Sequence, residues 1–299
     1  MNTTTFDYGR AFSRNLGWLR PAEQTLLRGK RVAIAGLGGV GGLHLLTLAR
    51  LGVGRFQVGD FDTYDLVNFN RQVGATTSAL GRSKLDVMTE LARDINPELE
   101  IAGFAEGVTP SNVNLFLEGV DLFVDGLDFF AFDVRTLVFG ECARRGIPAI
   151  TVAPLGMGGA LVNFVPGSMT FADYFGFADC ATADLPLRFL LGLAPAMLHR
   201  GYLVDPSFVD LAARRGPSTG MACQICAGIA GTEAVKILTR RGRVLGAPHG
   251  VQFDAYRNKL VHTWRPGGYR NPLQRLTQAI AARQLAAMAQ RKACPDGTR

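Results

Sequence analysis

The sequence lacks the features that mark membrane-spanning and secreted proteins. It contains no run of about 18 apolar residues, the length that a transmembrane helix requires. Its first ten residues, MNTTTFDYGR, lack the order of basic and then apolar residues that is typical of a secretory signal peptide. We therefore expect a cytoplasmic protein with no transmembrane segment.

Cysteine is also scarce, with five residues in a chain of 299. Because the chain is long and shows no export signal, these cysteines are not expected to form a disulfide framework. Free thiols are the default expectation for Cys142, Cys180, Cys223, Cys226 and Cys294.

Acidic residues are nearly absent from the C-terminal part of the chain. Residues 239–299 contain twelve Lys and Arg residues but only two acids, Asp254 and Asp296, which gives this segment a net charge of +10. Because the whole chain carries +7, the remainder is slightly acidic. A basic tail of this kind is suited to nucleic acid, an acidic protein or membrane phosphates. A solvated surface that keeps the protein soluble explains the charge equally well.

Hydrophobic residues make up 47% of the chain, enough to bury a large core. No internal repeat or low-complexity linker divides the sequence. We therefore predict one main domain, residues 1–268, followed by a basic helical tail, residues 269–299.

The most informative stretch is residues 31–62, where a short apolar run, a glycine turn, a helix and a second strand follow one another. Such a turn lets phosphate oxygens lie on a helix N-terminus. Asp60 follows the last glycine by 19 residues, a spacing that suits a carboxylate bound to a ribose. The turn itself is formed by Gly36, Gly38, Gly39 and Gly41. These residues predict a nucleotide site and leave the nucleotide open.

Strand and helix patterns alternate up to about residue 152, which favours a doubly wound, mostly parallel, Rossmann-like α/β sheet. A C-terminal antiparallel hairpin is predicted over residues 251–264, with a turn at Arg257 and Asn258, and a helix follows over residues 273–288. A long polar and aromatic stretch, residues 169–220, interrupts the pattern, and such segments are usually functional or mobile.

Further polar residues follow the predicted strands at the edge where open α/β sheets bind ligands. The glycine turn alone fits a nicotinamide as well as ATP. Triphosphate chemistry needs cations around a developing negative charge and a carboxylate for Mg²⁺. Arg71 and Lys84 supply the cations, and Asp128 supplies the carboxylate. Together these residues favour ATP over a nicotinamide.

The motifs GLGGVG, DFDTYDLVNFNRQ, GRSK and DGLD occur in the order that resembles the ThiF/MoeB/HesA family, relatives of the ubiquitin-activating enzymes. The resemblance is strong over about residues 12–166. It implies an ATP-dependent adenylyltransferase that uses Mg²⁺ to activate a carboxylate as an acyl-adenylate. The carboxylate would belong to the C-terminus of a ubiquitin-like or sulfur-carrier protein, a peptide or a small molecule. Residues 1–268 would form the adenylation domain, with a crossover segment at about residues 169–220.

The resemblance also implies a role for each matching residue. The four glycines would hold the phosphates and Asp60 the ribose, while Asp62 and Asn68 would order the loop and help to bind ATP. Arg71, Gln72 and Lys84 correspond to the phosphate-contacting set, and Asp128 to the Mg²⁺-linked aspartate. Arg14 resembles an arginine that the family sends into the partner subunit's site, which implies a homodimer. Asp125 is expected to shape its loop.

Three departures from the family pattern stand out. The places where many bacterial relatives carry zinc-binding CxxC pairs have no cysteine here, so no zinc is expected. Cys223 and Cys226 form a CxxC at the start of a helix, where packing is the expected role and a redox pair the alternative. Phe129 stands where relatives commonly have Asn, a change expected to alter substrate access.

The third departure is the crossover segment, where Cys180 is the positional candidate for a thioester-forming nucleophile. Its neighbours in the sequence include no His or Lys to lower the pKa of the thiol, so an inert cysteine is an equal alternative.

Two other functions remain open from the sequence. One is the family's ATP-dependent dehydratase that cyclises threonylcarbamoyladenosine in tRNA, which the basic tail favours. The other is an NAD-dependent oxidoreductase, which a lone glycine fingerprint also fits.

Overall fold

A computed structural model describes residues 5–211 and 213–293 of the chain. Cys294 and the last part of the predicted basic tail lie outside the described residues. The strands are β1 (Arg31–Ala35), β2 (Arg55–Gly59), β3 (Glu100–Phe104), β4 (Leu122–Asp125), β5 (Ala149–Leu155), β6 (Gly158–Phe164), β7 (His249–Asp254) and β8 (Lys259–Trp264). The helices are α1 (Tyr8–Ala11), α2 (Pro21–Arg28), α3 (Gly39–Arg50), α4 (Lys84–Ile95), α5 (Val113–Phe116), α6 (Phe132–Arg145), α7 (Phe171–Phe175), α8 (Leu185–Leu193), α9 (Gly220–Thr239) and α10 (Pro272–Ala293).

All eight strands form one sheet in the order β3-β2-β1-β4-β5-β6-β7-β8. The five strands from β3 to β5 pair in parallel, and β6, β7 and β8 continue the sheet with antiparallel pairs. The chain crosses over a helix between β1 and β2 and reverses its strand order at β1 and β4, as doubly wound sheets do. The predicted fold class, including the C-terminal hairpin, is confirmed.

Helices cover both faces of the sheet because alternate residues of the strands are buried on opposite sides. Val32 and Ile34 of β1 pack with the helices α3, α4 and α9 in one core. Ala33 and Ala35 of the same strand pack with α6, α7 and α8 in the other. The parallel strands are therefore apolar on both faces, which explains their continuous apolar runs in the sequence.

Helix α9 is the one helix among the described residues that is long and apolar enough to cross a membrane by length and composition. It packs along α3 and against β5 and β6, and its buried residues belong to the core on that face of the sheet. Packing on two sides accounts for its apolar composition.

The stretch predicted to be irregular, residues 169–220, contains the two short helices α7 and α8 joined by single turns of 3₁₀ helix. Helix α8 packs against α7 and α10, so the predicted tail helix lies against the crossover segment. The division of the chain at residue 268 stays a prediction.

His44 of α3 is a buried ionisable group whose two ring nitrogens have no hydrogen-bond partner. Burial lowers its pKa to about 4, so the ring is neutral in the folded protein near neutral pH. The unfolded state binds a proton at an ordinary pKa of about 6.5. The contribution of His44 to the free energy of unfolding is therefore fully present above about pH 6.5. It is lost as the pH falls towards 4, by about 3 kcal/mol in total.

We expect His44→Leu to remove this contribution. Chemical unfolding of the two proteins between pH 7 and pH 4 should show that the wild type loses about 1.4 kcal/mol per pH unit more than the variant. Equal pH slopes for the two proteins would contradict a neutral buried His44.

Candidate functional site

The glycine turn between β1 and α3 is held in a conformation that side chains would prevent. Gly36 has a φ of +84°, and a Cβ added there would lie 2.4 Å from the carbonyl oxygen of Gly126. A Cβ on Gly41 would lie 1.8 Å from the carbonyl oxygen of Gly36. At Gly38, in contrast, the nearest atom would be 3.8 Å away. The turn is thus tight at its base and open above the start of α3, where an anion binds a helix N-terminus.

Asp60 follows β2 and fixes two loops at the same edge of the sheet. One carboxylate oxygen accepts a hydrogen bond of 2.6 Å from the Leu37 backbone N–H, and the other accepts one of 2.8 Å from the Asp62 N–H. Burial raises the pKa of Asp60, and these two backbone donors act in the opposite direction. A carboxylate has about four acceptor positions, so Asp60 retains capacity for ribose hydroxyl groups.

Lys84 begins α4, a position where a cation opposes the helix dipole unless an anion lies nearby. The structure supplies that anion, because the Lys84 ammonium donates a hydrogen bond of 2.9 Å to the Asp62 carboxylate. The Lys84 side chain is only 7% exposed, whereas that of Asp62 is 52% exposed. A nearly buried cation thus lies at the edge of the sheet, with its partner open to solvent.

The loop after β2 holds two further predicted residues, Asn68 and Arg71, in different ways. Asn68 is buried, and its side-chain oxygen accepts a hydrogen bond from the Asp65 backbone N–H, which fixes the loop. One guanidinium nitrogen of Arg71 donates bonds of 2.9 Å to the Val67 carbonyl and to the side-chain oxygen of Asn70. Arg71 keeps further donors on its fork, because a guanidinium carries five N–H groups.

Gln72 is 7% exposed, and its side-chain oxygen has no hydrogen-bond partner. Its amide nitrogen lies nearest to the position that a Cβ on Gly38 would occupy. A buried side-chain oxygen without a partner is costly unless a donor from a ligand or water completes its hydrogen bond. The amide nitrogen of Gln72 lies beside the space above the glycine turn, where it can donate a hydrogen bond to a ligand.

The strand β4 ends in two aspartates with different surroundings. Asp125 is buried and accepts a hydrogen bond of 3.1 Å from the Leu127 N–H, so it shapes the loop as expected. Asp128 is exposed, and one of its oxygens accepts a bond of 2.9 Å from the Phe130 N–H. The Asp128 carboxylate can therefore bind a ligand without breaking a buried ion pair.

Arg135, which no motif in the sequence indicated, holds this loop together. It is 2% exposed, and its Nε donates a hydrogen bond of 2.8 Å to the Asp125 carboxylate. Its terminal nitrogens donate to the backbone carbonyls of Leu127, Asp128 and Phe129 at 3.1, 2.9 and 3.2 Å. One guanidinium therefore fixes the backbone that presents Asp128. The available signal was an arginine ten residues after a strand-ending aspartate.

The crossover segment reaches the site at its last residues. The Asn70 side-chain amide donates a hydrogen bond of 2.8 Å to the Ser218 carbonyl, and the Thr219 hydroxyl donates one of 3.0 Å to the Gly156 carbonyl. Phe129 packs its ring against Phe189 of α8, with centroids 5.1 Å apart. The segment is thus joined to the loops that carry Arg71 and Asp128.

The CxxC pair at the start of α9 packs against two glycines. A Cβ on Gly39 would lie 3.0 Å from the sulfur of Cys223, and a Cβ on Gly159 would lie 2.8 Å from that of Cys226. Burial raises the pKa of both thiols, which disfavours the thiolate. These contacts give the pair a packing role.

The fold does not bring Arg14 to the glycine turn of its own chain. Asn15, its neighbour, donates a hydrogen bond of 3.2 Å to the carbonyl of Arg50, the last residue of α3. The turn lies at the other end of this helix, about 18 Å away for 12 residues.

Cys180 follows the 3₁₀ turn Phe177–Asp179 of the crossover segment and is partly buried. Burial raises its pKa, and the neighbouring Arg188 side chain acts in the opposite direction. Arg188 is a cation that the residues next to Cys180 in the sequence did not reveal. The role of Cys180 as a nucleophile stays a prediction.

The sheet and the open glycine turn define a doubly wound α/β protein whose ligand site lies at the carboxyl edge of the parallel strands. Within this class, the chain belongs to the ThiF family, whose sequence pattern matches residues 12–276. The resemblance predicted from the four motifs is confirmed. The oxidoreductase alternative rested on the glycine turn alone and gains no support from this family.

Two similar proteins from the comparison match only part of this chain. A tRNA threonylcarbamoyladenosine dehydratase of Bacillus subtilis is 36% identical over 141 residues, which cover 47% of this chain and 55% of that protein. A SAMP-activating enzyme E1 of Haloferax volcanii is 30% identical over 182 residues, covering 58% of this chain and 65% of that protein. The chain thus spans less than two thirds of either relative.

Among solved structures, that of PaaA has the same fold, with a TM-score of 0.65 and 18% sequence identity. The superposition covers 88% of this chain and 85% of that chain. The shared fold thus covers most of this chain.

Proposed function

We propose that this protein is an ATP-dependent adenylyltransferase that activates a carboxylate as an acyl-adenylate. The observation that carries the proposal is the set of charged groups around the open glycine turn. Lys84 and Arg71 provide two cations there, and Asp128 provides an exposed carboxylate on the neighbouring loop. A nicotinamide has no need of this set, whereas a triphosphate does.

In this proposal the glycine turn and Gln72 bind the phosphates, and Asp60 binds the ribose. Asp62 and Asn68 order the loop, and Arg71 and Lys84 stabilise the charge that develops on the phosphates. The fold holds the hydrogen-bonding groups of these residues in place before ATP binds. Such fixed groups lower the cost of reorganisation during the reaction.

Asp128 is the proposed ligand for Mg²⁺. In the part of the chain that the structure describes, no group of three or more His, Cys, Asp or Glu side chains could hold a metal ion. This fits Mg²⁺, which is usually held by one or two carboxylates together with substrate phosphates and water. The ion would neutralise charge on the phosphates.

The first experiment measures ATP binding with and without Mg²⁺ by calorimetry. We expect Arg71→Gln to weaken ATP binding about 10-fold or more, since a charge-assisted hydrogen bond contributes about 1.5–3 kcal/mol. We expect Asp128→Asn to remove the gain in affinity that Mg²⁺ gives the wild type. Failure of the wild type to bind ATP, or unchanged binding in both variants, would contradict the proposal.

A homodimer completes the proposed site. Arg14 adjoins Asn15, which contacts the end of α3 opposite the glycine turn, and this position supports its action in a partner's site. Exposed apolar side chains on the same N-terminal part of the chain, Leu16 and Trp18, support a contact with a second copy.

Mixed dimers test this arrangement. Dimers of Arg14→Ala and Arg71→Gln subunits contain one site with both wild-type residues if Arg14 acts across the interface. We expect such mixtures to bind ATP at wild-type affinity with up to half the stoichiometry, and each parent dimer to bind it weakly. If Arg14 acts within its own chain, mixing restores no site.

The basic C-terminal part favours a second candidate, a dehydratase that acts on threonylcarbamoyladenosine in tRNA, in keeping with the name of the Bacillus subtilis relative. Binding of tRNA through Lys and Arg would weaken steeply with salt. Measuring tRNA binding at salt concentrations from about 50 to about 200 mM separates this substrate from a carrier protein or peptide. The proposed location is the cytoplasm for either substrate.

A further inference from the structure

A cavity of about 540 Å³ lies on the face of the sheet opposite the crossover segment, beside α9, which packs on β5 and β6. Cavities that bind small molecules have volumes of about 300–1,000 Å³. Among the described residues that line this cavity, none belongs to the glycine turn or to the loops after β2 and β4. The cavity is therefore separate from the proposed ATP site and has no part in the proposed function.

The wall of this cavity is mostly apolar. Ile225 and Ile229 line it from α9, and Val251 and Phe253 line it from β7. Leu260 of β8 also lines it and is 56% exposed, so the apolar surface is open to solvent. Contiguous apolar surface that stays exposed in a folded chain marks a binding site.

Gly228 lies in the interior of α9 and lines the same cavity. Glycine in a helix interior is destabilising relative to alanine, so its presence calls for a reason. At Gly231, one turn further on, the reason is packing, because a Cβ there would lie 3.0 Å from the Thr47 side chain of α3. A Cβ on Gly228 would have no atom within 4 Å. The glycine instead leaves room in the middle of the cavity.

The end of the cavity towards the C-terminus of α9 is charged. The Glu233 carboxylate accepts a hydrogen bond of 3.0 Å from the Asn163 amide and another from the Lys236 ammonium, which balances its charge. Lys236 also donates to the backbone carbonyl of Arg243, which places Arg243 at this end. Arg243 is exposed, and no acidic side chain of the described residues pairs with it. With His262 neutral, the lining thus carries one unbalanced positive charge.

We propose that this cavity binds a small amphipathic anion, an apolar chain or ring that carries a single carboxylate. The apolar body lies between α9 and the antiparallel strands, and the carboxylate pairs with Arg243, whose planar fork of donors matches it. From Ile225 to Lys236 the helix rises about 16 Å, which sets the length available to the ligand. A nucleotide does not match, because the wall is mostly apolar and offers one unbalanced charge.

A slender ligand fits this cavity better than the surface of another protein does. The cavity reaches Asn163, whose side chain is fully buried. A flat protein surface would cover the mouth of such a cavity without filling it, and the unfilled space would lose the packing contacts that stabilise an interface.

Gly228 provides the test of the cavity, because a larger side chain enters it without meeting another atom of the chain. Gly228→Leu fills part of the cavity, and Gly228→Ala is the matched control that leaves most of it open. Both changes improve the helix propensity of α9. Each variant should therefore be at least as stable as the wild type in thermal unfolding, which separates loss of ligand binding from damage to the fold.

Calorimetry with octanoate and octanol then measures binding to the full chain without ATP. We expect Gly228→Leu to bind octanoate about 10-fold more weakly than Gly228→Ala, since the leucine displaces about two methylene groups of the chain. We expect Arg243→Gln to weaken octanoate binding about 5-fold and to leave octanol binding unchanged, whereas Arg243→Lys retains most of the octanoate affinity.

Failure of the wild type to bind octanoate, or equal octanoate affinities of Gly228→Leu and Gly228→Ala, would overturn the inference. An equal loss for octanol in Arg243→Gln would overturn the assignment of an anion. Sedimentation of the same samples covers the other occupant. If Gly228→Leu, but not Gly228→Ala, lowered the oligomeric state, the cavity would belong to an interface with a second copy, and the inference would be wrong.

Discussion

Replacing Arg135 with methionine is expected to lower the free energy of unfolding by about 3–5 kcal/mol. The change leaves the Asp125 carboxylate, 4% exposed, without its ion pair inside the protein. It also removes the donors to three backbone carbonyls of the loop that follows β4. Guanidinium chloride unfolding measures the loss, which should be among the largest for a single substitution outside the apolar core.

The double variant Asp125→Asn, Arg135→Met provides the control. It removes both charges, so the penalty for a buried unpaired carboxylate disappears and part of the stability returns. The loop carbonyls remain without the guanidinium in both variants. If the single variant were as stable as the wild type, or the double variant less stable than the single one, the buried pair would not have the role assigned to it.

Much of the fold could be predicted because it depends on local patterns. The apolar runs of β1 and β4 identify strands buried on both faces, and the glycines after β1 identify the turn that a parallel crossover requires. The alternation of strands and helices then determines the sheet class. Residues 251–264 were predicted as a hairpin on their alternation, and the structure has β7 and β8 there.

The parts that could not be predicted depend on contacts between distant residues. Arg135 looks like a surface residue of an amphipathic helix, and only the folded position of Asp125 makes it a buried partner. The N-terminus of α9 lies about 180 residues beyond the glycine turn in the chain, yet packs beside it. Periodicity carries no information on such neighbours, because it describes one element at a time.

The position of Lys84 shows how the two kinds of information combine. The sequence indicated that a cation in the first turn of α4 needs an anion nearby. The structure identifies Asp62 as that anion, from a loop that precedes the helix by about 20 residues. The requirement for an anion near Lys84 can be recognised from the local sequence. The residue that meets it, Asp62, depends on how the loop folds back.

The glycine turn itself gives the second large expected effect. Gly41→Ala should lower stability by about 3 kcal/mol or more and abolish ATP binding, because its Cβ would lie 1.8 Å from the carbonyl oxygen of Gly36. Neither backbone segment can move away without opening the turn. Thermal unfolding and ATP calorimetry on the same samples measure both effects.

Gly38→Ala is the matched control, since its Cβ would have no atom closer than 3.8 Å. The variant should lose less stability than Gly41→Ala, while the added methyl group occupies the space above the start of α3 and weakens ATP binding about 10-fold, as expected when one or two phosphate hydrogen bonds are lost. The pair thus separates the residue that shapes the turn from the residue that leaves room for the ligand. If Gly38→Ala bound ATP as tightly as the wild type, the phosphates would not lie over this part of the turn. If Gly41→Ala were fully stable, the close approach of Gly36 and Gly41 would not be what holds the turn in place.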